Sequence, residues 1–143
     1  NNTDLEAIFD SLVNFEDVAS VISFLLSLLP GGPLYDNAFK IFRKIRKNYK
    51  KKKINVIKDK MIEVVYLKET NTEGLVIRKS KGTYKISKDV KTIRIGNYDV
   101  IEQTKGENIT LATWTDGTYS YVINPNGTEI NAEEMAKLIL SIK

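Results

Sequence analysis

The 143-residue sequence contains no cysteine and no histidine, and it holds only three prolines and one tryptophan. Without cysteine there are no disulfides, no thiolate nucleophile and no cysteine-based zinc site. Without histidine, Ser-His-Asp and Cys-His catalysis, histidine metal ligation and the usual near-neutral proton shuttle are all removed. Long apolar runs are missing too. The longest, residues 18–29, is interrupted by Ser20, Ser23 and Ser27, and it covers about a dozen residues where a bilayer span needs roughly 20. A buried or interfacial helix is the expectation there. No positively charged segment precedes that run, so no export signal is legible, and one already removed would leave no trace. Lack of cysteine does not settle the compartment, because secreted chains also do without it.

What is present is ordinary for a folded chain: 42% apolar and 28% charged residues, at a length that suits one domain with one core. The net charge of +4 is unevenly spread. Residues 1–33 carry five acids and no bases, residues 34–60 carry eleven bases and two acids, and residues 61–143 carry eleven of each. Such blocks often complement one another inside a fold, but a basic block is also a footprint for anionic partners.

The periodicity divides the chain at about residue 53. Leu5, Ile8, Phe9, Leu12 and Val13 recur at helical spacing, with Thr3 and Glu6 in a capping-box relation. A second helical stripe runs through Val18, Val21, Ile22, Leu25, Leu26 and Leu29 and stops at Pro30-Gly31-Gly32-Pro33. Tyr35, Phe39, Phe42, Ile45 and Tyr49 then mark a third helix, basic on its other faces, fraying into a connection at Lys50–Lys53. Residues 1–53 therefore read as a helical segment of two to three helices. From Ile54 the period becomes two. Segments around Ile54–Ile57, Met61–Leu67, Leu75–Ile77, Tyr84–Ile86, Thr92–Ile95 and Tyr98–Ile101 alternate with short polar turns, Gly96-Asn97 among them.

The clearest hairpin lies in residues 108–124. An Asp116-Gly117 type I′ turn predicts Trp114 opposite Tyr119 and Ala112 opposite Tyr121, with Ala112, Trp114, Tyr119 and Tyr121 on one face. Asn131 then caps a last helix with the stripe Met135, Leu138, Ile139 and Ile142. The fold class that follows is α+β: an antiparallel β-meander of five to seven strands, a C-terminal helix packed on one face, and an N-terminal helical segment. Residues 54–143 form the sheet-plus-helix part, and the whole is expected to be one compact unit.

Two groups of residues are candidate sites. The first is the basic stretch Lys40, Arg43, Lys44, Arg46, Lys47, Lys50, Lys51, Lys52 and Lys53, suited to nucleic acid, anionic lipid or an anionic wall polymer, with Tyr49 able to stack on a base. Its structural alternative is a solvated helix face and a linker. The second is an aromatic surface of Trp114, Tyr119 and Tyr121, with Tyr98 and Tyr66 near it, suited to a carbohydrate or apolar ligand. Its alternative is sheet core. Asp99 and Glu102, three apart in a strand, point to opposite faces and do not share a substrate. Glu133 and Glu134 suit a helix N-terminus. No nucleophile–base pair, calcium loop or phosphate loop stands out, so no catalytic residue, metal or cofactor is expected.

Residues from Ile54 onward carry a resemblance. INVIKDKMIEVVYL, GLVIRKSKGTYKIS, KTIRIGNYDV, ITLATWTDGTYSYVIN and INAEEMAKLI, in that order, resemble an uncharacterised domain of bacterial cell-envelope proteins. That domain of unknown function is found at the C-terminal end of anti-sigma-like and lipoprotein-sorting-like proteins. About two-thirds of the chain is covered. The N-terminal third departs: the family's Pro-rich loop with a Gly-Tyr pair has as its nearest counterpart Pro30-Gly31-Gly32-Pro33-Leu34-Tyr35, which lacks that pair. The resemblance implies a secreted or envelope-located, lipoprotein-like, non-enzymatic binding module whose partner is a protein, a lipid or a wall component. Nucleic-acid binding through residues 40–53 is the alternative, and self-association through the N-terminal helices is a third reading.

Overall fold

A computed structural model describes residues 39–83 and 90–142, together with Phe24, Ser27 and Leu28. The helices expected within residues 3–29, the break at 30–33, the helix start at residue 35 and the short strand at 84–86 lie outside the described residues.

The basic helix, α1 (Phe39–Asn48), is amphipathic as its spacing predicts. Phe42 and Ile45 are buried, and so is Ile41, which widens the apolar stripe. The helix does not extend to Lys53. It ends at Asn48, and the lysine run opens strand β1 (Lys51–Ile57) instead of a linker, so the boundary expected between residues 53 and 54 falls earlier. Three successive lysines are tolerated because β1 is an edge strand, where their side chains stay in water and charge discourages a further strand from adding. Burial comes from the neighbouring strand β2 (Met61–Leu67), the MIEVVYL run.

Strands β3 (Glu73–Lys81), β4 (Thr92–Ile95), β5 (Tyr98–Lys105), β6 (Asn108–Thr115) and β7 (Tyr119–Asn124) complete an antiparallel seven-stranded sheet, followed by helix α2 (Ala132–Ser141). The α+β class expected from the sequence is what the chain adopts. Strand order is β1-β2-β3-β7-β6-β5-β4. Two runs of consecutive strands therefore meet where β3 pairs with β7, and β4 becomes the second edge.

Period two sorts the sheet into two faces. Ile62, Val64, Leu75, Ile77, Ala112, Trp114, Tyr119, Tyr121, Ile123 and Val100 share one face, and with Ile41, Phe42 and Ile45 of α1 and Met135, Leu138 and Ile139 of α2 they form one core. Helix α2 lies against β4, β6 and α1. Its N-terminus is fixed by a capping box: Asn131 Oδ1 accepts from the Glu134 N–H at 2.9 Å, and Glu134 Oε1 accepts from the Asn131 N–H at 3.1 Å. The opposite face is more polar. There Glu63 accepts from Arg78 Nε at 2.8 Å and Asn55 Nδ2 at 2.9 Å.

The 108–124 hairpin forms with a register two residues from the expected one. Trp114 pairs with Tyr121, Thr115 with Ser120 and Ala112 with Ile123. Positive φ occurs at Gly117 (97°) but not at Asp116, so the turn residues are Gly117-Thr118, with glycine first as in a II′ turn. The cause is the Asp116 side chain. Its Oδ1 accepts from the N–H groups of Thr118 (2.9 Å) and Tyr119 (2.8 Å), which caps the turn from outside. Because the shift is an even number, the face assignment of all four core residues survives. The Gly96-Asn97 turn is as expected, joining Ile95 to its partner Tyr98.

Candidate functional site

Of the two readings of Trp114, Tyr119 and Tyr121, a ligand surface or sheet core, their burial fits core. Trp114, Tyr119 and Tyr121 are 1%, 2% and 4% exposed. Their face is the one on which α2 packs, and they belong to the same core cluster. Trp114 stacks on Tyr121 with ring centres 5.1 Å apart and planes 6° apart, and Tyr98 approaches Trp114 at 6.3 Å. Such cross-strand ring pairs add stability beyond the area they bury. Tyr66 belongs elsewhere, as described below.

A feature the sequence reading passed over completes this core. Lys79 is fully buried, with its ammonium 4.3 Å from the Tyr119 ring centre, 5.5 Å from Tyr121 and 6.0 Å from Phe24, a cation–π arrangement. Asp116 lies in the same network. Burial pushes its carboxyl up, but the N–H groups of Tyr119 and Thr118, the Tyr121 hydroxyl (2.7 Å) and the Lys79 charge together hold it below the usual aspartate value. Burial, then the Asp116 carboxylate, raise the Tyr121 hydroxyl far above the usual phenol value. Position 79 was legible in principle, since it continues the inward row of Leu75 and Ile77.

The basic residues divide into those the fold gathers and those it does not. Arg43, Arg46 and Lys47 fall on one face of α1 at helical spacing. Lys50 sits at the bend after the helix, and Lys51 and Lys52 open β1. These six line one cleft of about 700 Å³ between α1 and the sheet edge, floored by Leu28, Phe42, Tyr49 and Tyr66. Lys40, Lys44 and Lys53 do not line it. Lys53 pairs with Val65 and so falls in the strand alternation opposite Lys52. Lys44 is structural: its Nζ donates to the Glu129 carbonyl and lies 3.4 Å from Glu134, tying α1 to the capping box of α2.

No carboxylate lines the cleft among the described residues. Ion pairs form elsewhere, between Arg78 and Glu63, Arg94 and Asp99, and Lys137 and Glu133. Arg46, Lys47, Lys50, Lys51 and Lys52 have no acidic partner among the described residues. Like charges around a concave, partly apolar surface sum to a local positive potential.

The cleft's aromatic rings also serve packing. A Cβ at Gly74 would lie 2.5 Å from Tyr49 Cε1 and 2.6 Å from the Tyr66 carbonyl, so the Tyr49 ring rests directly on the start of β3. The Tyr49 hydroxyl is hydrogen-bonded to the Thr128 hydroxyl, and Tyr66 is buried. Tyr49 is half-buried and lines the cleft.

Asp99 and Glu102 do face opposite ways. Asp99 is exposed and paired with Arg94 at 2.9 Å. Glu102 is buried on the helix-covered side, its Oε2 lacks a hydrogen-bond partner among the described residues, and burial raises its carboxyl above the usual glutamate value. Among the described residues no three potential ligands cluster to hold a metal, and no helix is long and apolar enough to cross a membrane. Set against protein-family models, curated proteins and solved structures, the chain matches none of them.

Proposed function

We propose that this chain is a non-enzymatic binding module of the cell envelope or extracellular space, engaging an anionic partner through the cleft between α1 and β1. The observation that carries the reading is the gathering of six bases from α1, the bend after it and β1 along one concave surface, with no acid among the described lining residues. A merely solvated charge run would scatter its side chains around the helix. Here three helical bases, Lys50 at the bend and Lys51 and Lys52 at the start of β1 line one space, while Lys44 is tied to Glu129 and Glu134. The envelope location rests on the family-like order of strands and turns from Ile54 to the last helix, and the non-enzymatic reading on a sequence without cysteine or histidine.

Retention on phosphocellulose tests the reading. Wild-type protein should elute at distinctly higher salt than a variant carrying Arg46→Gln, Lys47→Gln, Lys50→Gln and Lys51→Gln. A control with Lys40→Gln and Lys53→Gln, both outside the cleft, should elute close to wild type after allowing for two lost charges. Equal retention per charge removed in the two variants would mean that no cleft site exists and only net charge matters.

A further inference from the structure

We infer that Asn126 is a covalent modification site: folding preserves it as an amide, and its spontaneous deamidation unfastens the turn that seats the end of α1. Asn126-Gly127 is the only Asn-Gly pair in the sequence. In such a pair ring closure is least hindered, because glycine places no side chain beside the attacking amide nitrogen.

The turn needs positive φ at both positions. Asn126 and Gly127 have φ of 47° and 92°, and the Thr128 N–H donates to the Pro125 carbonyl at 3.0 Å, the arrangement of a type I′ turn. Glycine at 126 would satisfy that shape as well. What glycine lacks is the amide. Asn126 Nδ2 donates to the Gly74 carbonyl at 2.7 Å, tying the turn after β7 to the start of β3. Two further contacts meet at this point. The Thr128 hydroxyl is hydrogen-bonded to the Tyr49 hydroxyl, and Gly74 lies against the Tyr49 ring, which a Cβ there would meet at 2.5 Å. The Asn126 amide therefore joins the two segments on which Tyr49, just past the end of α1, is seated.

The chemistry requires only water and base. The Gly127 amide nitrogen gives its proton to hydroxide and bonds to Asn126 Cγ. The Cγ–Nδ2 bond breaks, and that nitrogen leaves as ammonia with a proton taken from water. Hydrolysis then adds one water across either of the two C–N bonds of the cyclic imide, leaving aspartate or isoaspartate at 126. Gly127 is exposed and Asn126 half-buried, and both line a hollow of about 470 Å³, so solvent reaches the reacting atoms.

The same contacts govern the rate and the consequence. Ring closure draws Cγ onto the following nitrogen and expels the atom that donates to Gly74. The folded turn resists that step, and the reaction proceeds from molecules in which the turn has opened. Neither product restores the tie. An aspartate carboxylate only accepts, and it would face the Gly74 carbonyl, another acceptor. Isoaspartate adds a methylene to the main chain between the Pro125 carbonyl and the Thr128 N–H that close the turn.

Peptide mapping by mass spectrometry after ageing at mildly alkaline pH tests the inference, with one sample folded and one in guanidinium chloride. In the denatured sample Asn126 should convert before any other asparagine. In the folded sample its conversion should be slower by about tenfold or more, a ratio set by how rarely the turn opens. Chain aged in denaturant, refolded by dilution and separated by its added negative charge should melt below a control denatured only briefly. Failure of the aged fraction alone to refold is the same result in its extreme form. Asn126→Asp, which carries the product's carboxylate on an unaltered main chain, should also melt below wild type. Equal rates in the two samples would overturn the protection, and earlier conversion of another asparagine would overturn the site. Aged chain and Asn126→Asp that both melt with wild type would overturn the fastening role.

Discussion

Gly74→Ala is the substitution whose effect the structure specifies most closely. The new methyl would sit 2.5 and 2.9 Å from two atoms of the Tyr49 ring and 2.6 Å from the Tyr66 carbonyl. No carbon can remain at those separations, so the ring has to leave its seat. Overpacking of this kind costs about 1–3 kcal/mol. Displacing the ring also breaks the Tyr49–Thr128 hydrogen bond, worth about 1 kcal/mol net. Together these predict a loss of roughly 2–4 kcal/mol and a fall in Tm on the order of 5–10 °C. Urea denaturation of wild type, Gly74→Ala, Tyr49→Ala and the double variant gives the decisive number. With Tyr49 truncated, two of the three close contacts vanish and only the Tyr66 carbonyl remains, so Gly74→Ala should cost clearly less there, with a coupling of about 1 kcal/mol or more. An identical cost in both backgrounds would refute the argument that the ring occupies the space. So would a single-variant loss below about 0.5 kcal/mol, the size of an ordinary surface change.

Glu102→Gln should stabilise the protein at neutral pH and do so much less near pH 4. Burial raises the folded-state carboxyl above the usual glutamate value, so its stabilising contribution is fully present below the usual value and is lost as pH rises through the folded one. A Tm gain independent of pH would contradict this. Emission from Trp114, the only tryptophan, should be blue-shifted and shielded from acrylamide, and emission typical of water-exposed indole would place it outside the core. Gly117→Val should lower the melting temperature by forcing a β-branched residue to φ 97°, and an unchanged temperature would mean that the turn lies elsewhere.

Local chemistry was readable, and long-range geometry was not. The Asn131 cap, the Gly96-Asn97 turn and the stripe Met135, Leu138, Ile139 and Ile142 depend on residues within a few positions of each other, and all three formed as expected. The hairpin register went astray by two because one carboxylate, Asp116, caps its turn, and a dipeptide rule does not see side-chain acceptors. The lysine run was assigned to a frayed connection because charge opposes burial. An edge strand escapes that rule, since its lysines are not buried. Lys44 and Lys53 looked equivalent to Arg46 and Lys50 in sequence. Contacts with Glu129 and Glu134, far along the chain, set Lys44 apart, and Lys53 lies beyond the cleft in β1. Which bases form the cleft is decided where a helix meets a sheet edge, and no periodicity reports that.

The strand order also bears on how the molecule assembles. Within β1–β2–β3 and within β4–β5–β6–β7 every pairing joins neighbours in sequence, so each run can form with short loops to close. Only the ladder from Val76 with Asn124 to Lys81 with Tyr119 joins the two runs, and it spans a long stretch of chain. Closing it is the costly entropic step, and rates follow such distant contacts. Ile77 and Ile123, opposite each other across that seam, should therefore slow folding when truncated, while truncations in the edge strand β1 should chiefly hasten unfolding. The seam that holds the sheet together also sets the pace at which the whole chain becomes native.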